Sequence, residues 1–155
     1  VENMLQDICS ANDFNTICLR YFNAAGAHES GDIGEAHDPE THLIPNVIEE
    51  ALSNNNNLRV FGNDYPTLDG TCVRDYVHVT DLAQAHLLGY EYMQKSQGFS
   101  AFNLGNGDGF SVLEIIDGCE SIANNKIKYF VIPDKYNWTE VDTIDDLLFA
   151  KDNFK

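Results

Sequence analysis

Guanidinium groups are scarce in this chain. Its formal net charge is −16, from 9 basic and 25 acidic residues, and its arginines are Arg20, Arg59 and Arg74. An anionic ligand therefore needs a local basic spot, because the average surface repels it. The stretch "GTCVRDYVHV", residues 70–79, predicts a strand that carries one such spot. Strand side chains alternate faces with period two. Val73, Asp75, Val77 and Val79 then share one face, mostly core, and Cys72, Arg74, Tyr76 and His78 share the other. A guanidinium beside a phenol suits a place where an anion and a flat ring are held together. An edge strand whose arginine makes a surface ion pair accounts for the same residues.

Other chemistry-bearing residues suggest less. The five histidines, His28, His37, His42, His78 and His86, form no H-E-x-x-H, and a loop-like "DPET" separates His37 from His42, so no metal site is expected from spacing. Cys9, Cys18, Cys72 and Cys119 include no C-x-x-C pair, which predicts free thiols in a reducing cytoplasm rather than a zinc knuckle or a redox dithiol. Gly105 to Gly109 give G-x-G-x-G, not G-x-G-x-x-G, and no G-K-[ST] is present. Asp108 would also point a carboxylate at any phosphate. A tight connection, with Ser111 capping the next helix, fits better.

The elements that must position these residues follow from pattern and punctuation. Residues 2–12 read as the end of a helix. "TICLRYFN", residues 16–23, is a strand in which Ile17, Leu19 and Tyr21 alternate with Cys18, Arg20 and Phe22. A long turn-rich loop follows, of the kind that is usually functional or disordered. The segment from Leu43 has helical spacing at Leu43, Val47, Ile48 and Ala51, with Pro45 in the first turn. "NNNN", residues 54–57, is a polar connector, and "LRVFG", residues 58–62, is a short strand. "TDLAQAHLLGYEYMQKS" is a helix capped by Thr80 or Asp81, with an inward stripe of Leu82, Ala85, Leu88, Gly89 and Met93. "AFNLGNGDGFSVLEIIDGCESIA" runs strand, loop, helix. Alternating strands and helices predict an α/β class. Ligands in such sheets collect at the carboxyl ends of strands, where Asn23 sits.

The totals agree with one folded domain. The chain has 155 residues, with 43% hydrophobic, 11% aromatic and 22% charged, as in an ordinary soluble protein. Strong negative charge argues against nucleic acid as a partner. Short apolar runs argue against a membrane span, and the polar start "VENMLQDICSAND" carries no signal-peptide core, so the cytoplasm is expected. The first residue is Val1, which suggests processing or a piece of something longer.

Two stretches, "LRYFNAAGAHESGDIGE" and "FGNDYPTLDGTCVRDYVHVTDLA", are specific enough to carry a resemblance. With "DPETHLIPNVI" and "FNLGNGDGFSV" in the same order, they resemble the UDP-glucose 4-epimerase (UDP-galactose 4-epimerase) family of extended short-chain dehydrogenases. The resemblance covers residues 1 to about 133. Related dehydratases and decarboxylases of sugar nucleotides share a shorter "GDG…RDFVYV" element, and the inserted "DYPTLDGTCVRDY" favours the epimerases. The resemblance implies a Rossmann-like NAD(P)-binding fold with a small substrate-binding domain. It also implies a reaction. NAD takes a hydride from C4 of a UDP-hexose, and the tyrosine of a Y-x-x-x-K motif takes the hydroxyl proton. The keto sugar turns while UDP stays anchored, and the hydride returns to the other face.

Carried over by position, the resemblance implies that Asn23 hydrogen-bonds UDP-glucose or UDP-galactose and that Phe22 lines the nicotinamide. His42 and Leu43 match a pair beside the nucleotide. Arg59, Val60 and Phe61 match the strand against uracil, with Phe61 the better contact because Arg59 shares its face. Arg74 matches the diphosphate-binding arginine with Tyr76 beside it, and Val112 matches a residue near the nucleotide. Asp75, on the opposite face, is expected to hold backbone N–H groups.

The chain also departs from the family. Neither the dinucleotide fingerprint nor Y-x-x-x-K occurs in it, so no catalytic residue is expected here. Residues 1–155 then read as the carboxyl-terminal, substrate-binding portion with the last strands of the Rossmann sheet, the amino-terminal NAD-binding half being absent. After Pro133 the family's arginine and G-D turn are replaced by "DKYNWTEVDTIDDLLFAKDNFK", where Lys135 is a poor substitute for a bidentate arginine. Three readings follow: a half-enzyme that needs a complementing amino-terminal chain or homo-oligomer, a stand-alone UDP-sugar-binding remnant, and an interaction protein.

Overall fold

The computed structural model describes residues 1–53 and 55–132. Twelve elements follow in order: α1 (Glu2–Ala11), β1 (Thr16–Tyr21), β2 (Asn23–Ala25), α2 (Leu43–Ser53), β3 (Leu58–Phe61), β4 (Val73–Arg74), β5 (Tyr76–His78), α3 (Val79–Met93), β6 (Phe99–Leu104), β7 (Phe110–Ser111), α4 (Val112–Ala123) and β8 (Tyr129–Ile132). The class is α/β. Among the described residues β1 pairs β6, β2 pairs β5 and β3 pairs β8, all parallel, while β4 pairs β7 antiparallel.

The core lies where α2, β3 and α4 meet. Val47 and Ala51 of α2, Leu58 and Val60 of β3, Ile116 of α4 and Ile127 form one buried cluster. Strand alternation explains its composition: Leu58 and Val60 point in, Arg59 and Phe61 point out. Helix α4 is fixed at its start by a capping box. Ser111 Oγ accepts from Glu114 N at 3.1 Å, and Ser111 N donates to the Glu114 carboxylate at 2.8 Å. The polar connector after α2 is tied down by Glu50, a buried carboxylate that accepts from Asn57 N at 2.9 Å and from Asn56 N.

Several sequence expectations need correction. Residues 70–79 are not one strand. Asp75 interrupts them, β4 pairs with β7 while β5 pairs with β2, and Val79 opens α3. Val73 is therefore 42% exposed rather than core. The strand over 16–23 likewise breaks at Phe22, which lets the chain leave β6 and join β5. The cap of α3 is His78, whose imidazole accepts from Thr80 N, rather than Thr80 or Asp81; Asp81 does sit in the first turn. Ile48 and Leu88 lie exposed instead of facing inward.

Helix α3 lies across β1 at Gly89, where an added Cβ would stand 3.7 Å from Ile17. Many large apolar side chains are nonetheless exposed on the described surface, among them Tyr21, Phe22, Phe102 and Phe130. Parallel strands are normally covered on both faces, so these faces are unusually bare. Among the described residues no helix is long and apolar enough to cross a membrane.

Candidate functional site

Two cavities adjoin along α2. The larger, of about 790 Å³, is lined by Asn23, His42, Leu43, Ile48, Leu52 and Tyr76, among others. The smaller, of about 450 Å³, is lined by Leu43, Arg59 and Phe61, and both share Thr41, Leu43, Glu49 and Ser53. Six of the sequence-predicted residues, Asn23, His42, Leu43, Arg59, Phe61 and Tyr76, thus line these cavities along one helix, reached from four separate stretches of chain.

Parallel pairing places the first of them. Asn23 lies opposite Tyr76 in the β2–β5 register. Asn23 is locked by two bonds to the Asp75 carbonyl, from its backbone N at 3.1 Å and its side-chain Nδ2 at 3.0 Å. Asp75 turns its carboxylate the other way and accepts from Asn106 N at 3.0 Å and 3.2 Å, the backbone-holding role expected for it. Burial pushes the Tyr76 phenol above its ordinary pKa, and the nearby Arg74 charge opposes that shift. The phenol therefore stays protonated and able to donate at neutral pH.

The loop before α2 places His42. Its Nδ1 lies 2.8 Å from Glu40 Oε1 and 3.8 Å from Glu35 Oε2, and its ring meets that of His37 edge-on at 5.1 Å. Glu40 also accepts from the backbone N–H groups of Thr41 and His42, both at 2.7 Å. The His42 N–H bond, ahead of the imidazole, holds the Glu40 carboxyl below its usual range.

On β3, Arg59 and Phe61 both face the smaller cavity, so alternation does not force a choice between them. Val60 is 2% exposed in the core, which limits its contribution to backbone. Arg74 lines neither cavity. It is exposed on β4 opposite Phe110, and its guanidinium makes no hydrogen bond or ion pair among the described residues. Val112 begins α4 against the core, its N–H bonded to Cys72 O at 3.2 Å. Phe22 is 62% exposed at the break between β1 and β2. It sits beside Gly105, where a Cβ would be 3.3 Å from its ring and 2.4 Å from Asp75 Oδ2.

Sequence reading missed Ile48 and Leu52, the apolar wall of the larger cavity. Their i, i+4 spacing with Ile44 was the available signal. The electrostatics are uneven: Glu35 and Glu49 line the larger cavity, and the unpaired guanidiniums sit on β3 and β4. Of these two guanidiniums, Arg59 lines the smaller cavity. Lys135 and the segment after Ile132 lie outside the described residues.

Comparison with known proteins identifies the family. The family described as "NAD dependent epimerase/dehydratase family" matches residues 1–105. UDP-glucose 4-epimerase of Halalkalibacterium halodurans is 47% identical over 133 residues, covering 86% of this chain and 40% of that protein. A crystal structure of UDP-glucose-4-epimerase from Stenotrophomonas maltophila, with bound NAD and formylated UDP-arabinopyranose, is 37% identical with TM-score 0.81, covering 97% of this chain and 45% of that one. UDP-glucose 4-epimerase from Bifidobacterium longum in complex with NAD+ and UDP is 35% identical with TM-score 0.79, covering 98% of this chain and 52% of that one. The chain thus spans about 40% of the length of the curated relative.

Proposed function

Because the chain belongs to the NAD dependent epimerase/dehydratase family, we propose that residues 1–155 form the UDP-sugar-binding portion of a UDP-glucose 4-epimerase. The observation that carries this reading is the convergence of Asn23, Tyr76, His42, Leu43, Arg59 and Phe61 on two adjoining cavities. Uracil packs against Phe61, the diphosphate is held by Arg59 and Arg74, and the hexose enters the larger cavity beside Asn23 and Tyr76. A solved relative is in complex with UDP, which supports a uridine nucleotide as the ligand class.

For NAD the fit is partial. Phe22 offers an exposed aromatic face at the carboxyl end of β1, and Asn23 follows it. No G-x-G-x-x-G occurs in the sequence to cradle the pyrophosphate. The chemistry NAD supplies when bound is reversible hydride transfer. This chain's residues bind and orient the nucleotide sugar, and with no Y-x-x-x-K pair they do not move the hydroxyl proton. The chain alone is therefore catalytically silent.

A thermal-shift series tests the binding reading. UDP is expected to raise Tm more than UMP, and UMP more than uridine, because each phosphate adds a charge-assisted contact. Equal shifts for all three, or none, would contradict it. Conversion of UDP-galactose to UDP-glucose by the purified chain with NAD would contradict the silent state.

A further inference from the structure

We propose that Glu35, His37 and His42 form a divalent-metal site of the zinc class at the wall of the larger cavity. One ligating atom from each of the three lies within 4.8 Å of the other two. Zinc bonds of about 2.0–2.2 Å allow ligand atoms to stand roughly 3.4 Å apart in a tetrahedral set. All three side chains are exposed, so the difference is closed by rotamer adjustment without disturbing the core. Two imidazoles and one carboxylate are the donor set that suits zinc and its neighbours, with a fourth position left open.

Two further features fit such a site. Glu40 grips the His42 ring at 2.8 Å while accepting two backbone N–H bonds of the same loop, and a carboxylate behind the imidazole is the usual device for orienting a metal-binding histidine. Glu35 and His42 both line the larger cavity, so a bound cation would neutralise the Glu35 carboxylate exposed in its wall. Neither feature depends on the nucleotide reading. The spacing of the two histidines in the sequence does not suggest the site, because the loop has to fold back to bring Glu35 and His37 to His42.

The test is a calorimetric titration of the full 155-residue chain with Zn²⁺, without nucleotide, paralleled by Co²⁺ absorption. The expected result is saturable one-to-one binding with Kd below about 0.1 mM, weakened at least about tenfold in both His37→Ala and Glu35→Gln. His28→Ala, outside the cluster, should bind as the parent does. Circular dichroism confirms that each variant is folded, and Glu35→Gln removes the charge while keeping the shape. Absence of saturable binding below that concentration, or binding that survives either cluster variant, would overturn the proposal.

Discussion

Phe61 and Val60 are neighbours on one strand with opposite duties. Phe61 is 69% exposed on the cavity side and Val60 is 2% exposed in the core. Phe61→Ala should leave urea stability within about 0.5 kcal/mol of the parent. It should weaken UDP binding about tenfold, the loss of one stacked ring. Val60→Ala should cost about 2 kcal/mol by opening a cavity. A stability loss in the first variant matching that of the second would contradict the assignment of faces. The alternation itself was readable in "LRVF", including that Arg59 and Phe61 share a face. That both could face a cavity was not readable, because a cavity is made by other elements. Asp75 was legible too: its place opposite Arg74 predicted a backbone-holding role, and its carboxylate binds Asn106 N. The role of His42 was less so, since its partners Glu35 and His37 come from the fold of a loop with no period.

At the element scale, the start of α4 and the β4–β5 break depend on a few polar contacts. Asp69 accepts from the Ser111 hydroxyl, Thr71 N and Thr71 Oγ1, and Ser111 caps α4. The Ser111 hydroxyl, then the Thr71 N–H, hold the Asp69 carboxyl below its ordinary value. A depressed carboxyl stabilises the fold above its unfolded-state pKa and loses that contribution as pH falls through the lower, folded-state value. Urea midpoints measured from pH 7 down to pH 2 should fall less steeply for Asp69→Asn than for the parent. An unchanged slope would contradict the network. Gly105 is the second control point. A Cβ there would stand 2.4 Å from Asp75 Oδ2 and push that carboxylate off Asn106 N, so Gly105→Ala should destabilise by about 0.5–1.5 kcal/mol, the worth of the lost hydrogen bond. A neutral result in urea denaturation would argue against the close approach. The capping serine was visible in the sequence because "FSVLE" carries a capping box. The split of residues 70–79 was not, because it follows from pairing partners, and no local pattern names a partner.

At the scale of the whole molecule, the described chain keeps a small buried core and leaves many aromatic and aliphatic side chains bare. Its parallel pairs are two strands wide among the described residues. Such edges and faces favour association. Sedimentation of the chain should show concentration-dependent self-association, and its unfolding midpoint should rise with concentration. A monomer with a sharp, concentration-independent transition would contradict this. The α/β class was legible from alternating elements, whereas the separation of the strands into pairs was not. Periodicity reports which face is apolar, not how many strands lie beside it.

The claim on which the rest depends is that these residues form a working nucleotide anchor in a chain of net charge −16. Calorimetric titration with UDP, comparing the parent with Arg74→Ala, tests it most directly. Loss of a charge-assisted contact to the diphosphate should weaken binding by about ten- to a hundredfold. Binding by the parent and this loss in the variant is the predicted result. No heat of binding from a folded parent chain, or equal affinity in the two, would contradict it.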